Sequence, residues 1–399
     1  MPLKQEYQLV KYRITNDMKV FLTTSGPFPN GGANANRIKC YVKGLQNQSV
    51  DYEILTTSHR AKEDSSTGFV YKRIGLDCTD KPIFIRVMAF VYNTFLLRSY
   101  LKENVKKEDI VLIYHNGIVE DCILLSLKTQ CILVRELCEI PYYDDRIVSR
   151  VMRWFQLHYF FKKFSGFIAI SEPLKNLAER YKNKKAQVIK IPMLIDKERF
   201  NNCRYNSFRK INGNYIFHSG SLSELKDGFI GMIEAIAEVN ERGYEIHLYS
   251  TGTITSDNDI SRKIHSLGIK DKIHFLGFLQ EQELYEYQRG SLLFIINKLD
   301  TLQNRYCFAT KLGEYLSTRK AVIATNVGEM NYFLQDNKSA YIVESGSSVL
   351  IAKKIIEALN NPERRSAIGK GGYDVARNCF CHDFQGVRLY KFLVNLKKT

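Results

Sequence analysis

The chain has 399 residues, 45% of them hydrophobic and 25% charged, which suits two globular domains and excludes a disordered or fibrous protein. Its formal net charge is +16, so partners are expected among nucleic acids, anionic lipids or phosphorylated substrates. Nine cysteines with no CxxC pair read as free thiols of a reducing compartment, which excludes a disulfide scaffold and a zinc site.

Residues 1–17 are polar and mixed in charge, without the apolar stretch of a signal peptide, and read as a lead-in. A first strand is expected at Lys19–Thr24. The loop behind it holds Gly26, Gly31 and Gly32 and opens a helix that Asn34 or Asn36 would cap. Backbone N–H groups at such a helix start attract phosphate. The segment lacks GxGxxG, so a dinucleotide fingerprint is absent. A strand at Tyr52–Thr57 follows, then a helix over Pro82–Lys102. Its apolar part, Ile83–Leu97, is shorter than the ~20 residues of a membrane span and includes Arg86 and Asn93.

Strands at Ile110–His115 and Gln130–Arg135 end in the sequences IYHNG and RELCEIP. His115, Glu136 and Glu139 therefore stand at carboxyl ends of strands, where parallel sheets bind ligands. His115 reads equally as a buried structural histidine. The run Arg146–Phe164 is expected to be helical, with Arg146, Arg150 and Arg153 on one side and Val148, Val151 and Phe155 on the other, a pattern that degrades after His158. With Trp154 it suits an anionic interface, or else it packs in the core. Strands at Gly166–Ile170 and Gln187–Ile191 complete a first domain at 18–195.

The polar, Asn-rich stretch 196–212 reads as a linker. A second domain, 213–378, holds strands at Tyr215–His218, Glu245–Tyr249, Lys272–Phe275, Leu292–Asn297, Ala321–Thr325 and Ala340–Val343. The alternation with helices implies two parallel Rossmann-like sheets. A closing helix is expected at Asp383–Leu396, within 379–399. Between Gly220 and Gly228, Lys226 precedes a helix and is placed to neutralise a diphosphate, or is simply solvated. Lys311 and Glu314 lie three apart on one helix side, as a surface pair or as groups facing a ribose. Asp257-Asn258-Asp259 reads as a turn and cap, so no metal site is expected.

In order, GPFPNGGANANRIK, GSLSELKDG and FATKLGEYLSTRKAVIATNVGE resemble glycosyltransferase family 4, also called glycosyl transferases group 1, over about Met18–Phe380. The family's Gly-Arg-Leu-x-x-Glu-Lys-Gly loop keeps its basic position at Lys226, while Ser221 stands for the arginine. Its Glu-x7-Glu motif keeps the second glutamate, Glu314, and has Tyr306 for the first. The resemblance implies the α/β GT-B fold, two Rossmann-like domains facing a cleft, and retaining transfer of a hexose-type sugar from a nucleotide-sugar donor, UDP before GDP, without a metal or other cofactor. It implies catalytic roles for Glu314 and Lys226, with Glu136 or His115 near the sugar. It implies donor contacts from Gly220, Ser221, Lys226, Ala309, Thr310, Lys311 and Glu314, and from Gly31 and Gly32 across the cleft.

A glycan or lipid-linked acceptor in surface polysaccharide assembly fits the basic, aromatic face that includes Arg146, Arg150, Arg153 and Trp154. The expected place is cytoplasmic, peripheral on the inner face of the membrane. No nucleic-acid-binding signature accompanies the charge, so no nucleic-acid partner is expected. The missing arginine and glutamate motivate one alternative, a non-catalytic homologue acting as a partner subunit.

Overall fold

The computed structural model describes residues 18–30, 32–58, 68–114, 117–142, 144, 146–199, 211, 213–220, 222–253 and 259–398. The first domain holds β1 (Lys19–Thr24), β2 (Asp51–Thr56), β3 (Tyr71–Arg73), β4 (Ile110–Tyr114), β5 (Ile132–Leu137), β6 (Gly166–Ala169) and β7 (Gln187–Lys190). These pair in parallel in the order β3-β2-β1-β4-β5-β6-β7. Crossovers are α1 (Ala33–Gln46), α2 (Ile83–Asn104), α3 (Ile118–Leu124), α4 (Ile147–Phe155) and α5 (Glu172–Tyr181). Strand β4 is buried along its whole length because both sheet faces are covered. Phe21, Val111 and Leu133 pack on one side, Val20, Leu112 and Val134 on the other.

The second domain repeats the plan with β8 (Asn214–His218), β9 (Ile246–Ser250), β10 (Ile273–Phe275), β11 (Phe294–Ile296), β12 (Val322–Thr325) and β13 (Tyr341–Val343). Two three-stranded pieces, β10-β9-β8 and β11-β12-β13, meet at a bridge between Ile216 and Leu293. Both domains thus reverse strand order after their first strand, and ligands bind at the carboxyl ends beside such a reversal. The helices are α6 (Glu224–Asp227), α7 (Phe229–Glu241), α8 (Asp259–Ser266), α9 (Glu281–Gly290), α10 (Leu302–Tyr306), α11 (Lys311–Ser317), α12 (Met330–Phe333), α13 (Ser348–Asn360), α14 (Pro362–Cys379) and α15 (His382–Leu396).

The closing helix α15 returns to the first domain and lies on α1. A Cβ on Gly44 would stand 2.7 Å from the Gly386 Cα, so the two helices touch backbone to backbone at this pair of glycines. The crossing is pinned at Ile195, whose N–H donates to Phe380 O (2.8 Å) and whose carbonyl accepts from His382 N (3.1 Å).

Two local expectations are corrected. Neither Asn34 nor Asn36 caps α1. Gly32 is the N-cap at φ 68°, Asn36 N donates to Gly32 O, and both asparagines lie inside the first turn. The run Arg146–Phe164 is not one regular helix. After α4 it widens into a π-helical turn, Gln156–Phe160, and tightens over Phe161–Lys163. The buried Gln156 amide donates to Asp121 Oδ2 (2.6 Å), and Asp121 also pairs with buried Arg135; the turn swings Leu157, Phe160 and Phe161 inward around them. Strand β3 was not foreseen.

Candidate active site

The site is built where β8, β11 and β12 end in the second domain. After β8 the chain turns at Gly220, whose φ of 142° strains any residue with a Cβ. A Cβ here would also stand 2.7 Å from the Lys311 Nζ. Lys311 is the first residue of α11. Its ammonium donates to Asp227 Oδ1 at 2.9 Å, and Lys298, just past β11, donates to the same oxygen at 3.0 Å. Lys298 is fixed further by Lys226 O at 2.7 Å, and its backbone N–H donates to the Thr325 hydroxyl at the end of β12. Asn304 ties the surrounding loop together, donating to Leu225 O and Leu299 O.

The cluster has two ammoniums and one carboxylate, all largely buried, with side chains 11%, 14% and 8% exposed for Lys311, Lys298 and Asp227. Burial pushes the Asp227 carboxyl up, but Lys311, Lys298 and His218 overcome it and hold it well below the carboxylate range. Lys311 is pushed down to about 8, first by burial and then by Lys298, against the pull of Asp227. These three side chains sum to one positive charge beneath the exposed turn at Gly220, an arrangement with the chemistry to take an anion.

Several expected donor residues meet here. Gly220 and Lys311 are in contact range. Glu314, three residues further along α11, is half-buried and close enough to act on the Lys311 charge. Thr310 is the exposed N-cap of α11, and Ala309 packs in the core beneath it. Lys226 is exposed on α6 and faces solvent, while its carbonyl holds Lys298. Ser221, Gly31 and His115 lie outside the described residues, as do Asp257 and Asn258. Asp227 and Lys298 were not singled out from sequence. Their only sequence signal is position: each stands next to a glycine turn or a strand end.

In the first domain Glu136 is 1% exposed and fully engaged. It accepts from Arg37 Nε (2.9 Å) and Tyr41 Oη (2.8 Å), and Arg37 also donates to Ile191 O (2.8 Å) and Pro192 O (2.5 Å). This ties α1 and β5 to the segment directly after β7. Burial raises the Glu136 carboxyl more than Arg37 lowers it. Glu136 therefore braces the domain. Glu139, three residues on, is half-buried and faces the second domain. After burial, its charge is the main influence raising the Cys307 thiol, which also feels Lys298 and Lys226. Tyr306, at the position of the family's first glutamate, gives its carbonyl to Ser171 Oγ of the first domain (2.5 Å). Glu329 links the domains too, accepting from Glu172 N (2.7 Å) and Lys190 Nζ (3.0 Å).

At the carboxyl ends of β1 and β2 a cavity of about 340 Å³ opens between Ser25, Ser58 and the first turns of α2, with Ile83, Arg86 and Val87 on its wall. Along α2, Ile83, Phe84, Val87, Met88, Tyr92 and Phe95 are each at least 50% exposed. The expected basic and aromatic residues lie on α4. Arg146 is exposed and paired with Asp144 (2.8 Å), Arg150 is exposed, and Arg153 donates to Tyr142 O (3.0 Å). Trp154 is 54% exposed and stacked on His158, and only Ser149 of α4 is buried. One face of α2 packs in the core through Leu97 and Leu101, while its other face and most of α4 are left uncovered. Among the described residues no helix is long and apolar enough to cross a membrane.

Residues 204–375 match the family described as glycosyl transferases group 1. The lipopolysaccharide core biosynthesis glycosyltransferase LpsD of Rhizobium meliloti is 23% identical over 155 residues, 39% of this chain and 42% of that protein. The chain thus matches less than half the length of this curated relative. A solved glycosyltransferase from Rickettsia africae superposes with TM-score 0.71 at 16% identity, covering 96% of this chain and 100% of its own. Anabaena HepE in complex with UDP-glucose superposes with TM-score 0.69 at 15% identity, covering 95% and 99%. These likenesses show the GT-B fold.

Proposed function

We propose that this chain, whose residues 204–375 match the glycosyl transferases group 1 family and whose fold is GT-B, is a retaining glycosyltransferase using a nucleotide-diphosphate sugar. The observation that carries the reading is the Lys311–Asp227–Lys298 cluster beneath Gly220. Two ammoniums locked by one carboxylate are preorganised donors, and such donors stabilise charge as it develops on a leaving group. The solved HepE complex contains UDP-glucose, which supports a UDP-sugar as donor.

In this reading Lys298 and Lys311 hold the diphosphate, Lys226 approaches it from solvent, and Glu314 binds the ribose hydroxyls. The bond between the anomeric carbon and phosphate oxygen breaks while the acceptor oxygen attacks from the same face. The acceptor proton passes to the departing phosphate, leaving a nucleoside diphosphate and a glycosylated acceptor. Glu139, facing the cluster from the first domain, orients the acceptor.

The acceptor is a glycan or lipid-linked glycan of surface polysaccharide assembly, supported by the name of the Rhizobium relative. Its lipid would run from the cavity at Arg86 along exposed α2, with α4 resting on an anionic membrane surface. The test is release of UDP from UDP-hexoses by the full chain, with and without lipid-linked saccharide. Turnover supports the reading. Donor binding without turnover in any mixture would replace it with a non-catalytic partner subunit, the reading that Ser221 and Tyr306 favour.

A further inference from the structure

Four adjacent strands of the first sheet are entered through connections that each carry a lysine within four residues of the strand: Lys107 before β4, Lys128 before β5, Lys163 before β6 and Lys185 before β7. Neighbouring strands lie ~4.8 Å apart, so the four line one edge of the sheet. That edge is the amino-terminal one, opposite the strand ends that face the donor cluster. Lys397, just past α15, joins them around an open basin of about 500 Å³.

Glu108 is the one acidic residue in the lining. Among the described residues, none of the five ammoniums is within ion-pair distance of a carboxylate. The floor includes Phe164 and Leu396, at most 5% exposed, so the field of the lysines is focused over apolar walls. Lys163 also lies over the half-exposed ring of Tyr159, 4.9 Å from its centroid. A lysine near a helix carboxyl end gains at most about 1 kcal/mol at an exposed site, and crowding five repels each from the others. A bound anion offsets that repulsion.

We propose that this basin binds a phosphate-bearing ligand, either an anionic lipid headgroup or a soluble polyphosphate. It shares no residue with the donor cluster and does not depend on the proposed reaction. Tripolyphosphate would be titrated calorimetrically into the full chain and into the triple variant Lys128→Gln, Lys163→Gln, Lys185→Gln. Both would also be sedimented with vesicles of phosphatidylglycerol or of phosphatidylcholine. Because the donor cluster is intact in both proteins, their difference reports the basin alone.

Attraction of about 1 kcal/mol per lysine makes the expected loss roughly 100-fold. The triple arginine variant should retain binding, and the glutamine variant should keep the circular dichroism spectrum of the wild type, which shows that it is folded. Loss confined to phosphatidylglycerol vesicles assigns a lipid headgroup. Loss of tripolyphosphate binding with vesicle binding intact assigns a soluble ligand. Equal binding of both probes by wild type and glutamine variant overturns the proposal.

Discussion

Two charged clusters stand at carboxyl ends of strands, one in each domain, and they are built to opposite ends. In the first domain Arg37 and Glu136 balance in charge, are almost sealed from solvent, and spend their hydrogen bonds on Tyr41 and the carbonyls of Ile191 and Pro192. In the second, Lys311 and Lys298 share one carboxylate, leave an excess positive charge, and open beneath a glycine turn. A closed, neutral pair holds structure together. An open, unbalanced one is ready for an anionic ligand.

The largest effect should come from breaking the closed pair. Glu136→Ala strands a buried guanidinium, and removing one partner of such a pair costs about 3–5 kcal/mol. Urea denaturation should show a loss of this size, with nucleotide binding retained by the fraction that stays folded. A loss below about 1 kcal/mol, the range of an exposed pair, would refute the bracing role.

Next, Glu314→Ala should lower turnover by about 10–100-fold, the equivalent of one or two hydrogen bonds to a charged group. Its stability should change little. Unaltered steady-state kinetics would remove Glu314 from the donor site. The mutation touches the open region only, so the two clusters would then no longer differ in the way described.

The open cluster should also respond to pH where the closed one does not. Lys311 is pushed down to about 8, so it is an ammonium below that pH and an amine above it. Affinity for an anionic donor should therefore fall as pH rises through about 8. Lys311→Arg keeps its charge and should flatten the profile. A profile equally steep in the arginine variant would assign the titration to another group.

The smallest expected effect lies outside both clusters. Replacing Arg146, Arg150 and Arg153 by Glu should weaken binding to anionic vesicles by about a few-fold without altering the melting temperature. Arg146 already pairs with Asp144 and Arg153 with Tyr142 O, so Arg150 should carry most of the loss. Unchanged vesicle binding would leave α4 without a membrane role.

The fold was legible because both sheets are buried on two faces, and runs such as Ile110–Tyr114 are apolar throughout. Strand β3 escaped notice because Tyr-Lys-Arg is three residues long, polar, and at a sheet edge. Of the candidate site, only the local parts were legible. Gly220, Lys311 and Glu314 fall in recognisable segments, but Asp227 and Lys298 are 71 residues apart and meet only because β8 and β11 are neighbours. The bracing contacts of Glu136 were hidden for the same reason. A strand-end carboxylate looks available until Arg37, 99 residues earlier, is found against it. The π-helical turn after α4 was signalled by the loss of helical periodicity past His158, but the Gln156–Asp121–Arg135 contacts behind it were not.

The most direct measurement is calorimetric titration of UDP into wild type, Lys311→Ala and Lys226→Ala. Removing a buried ammonium from a diphosphate contact should weaken binding about 10–100-fold, whereas the exposed Lys226 should cost only a few-fold. That order, with Lys311 far ahead, is what the open cluster predicts. Equal UDP affinity in wild type and Lys311→Ala would contradict it and place the anion site elsewhere.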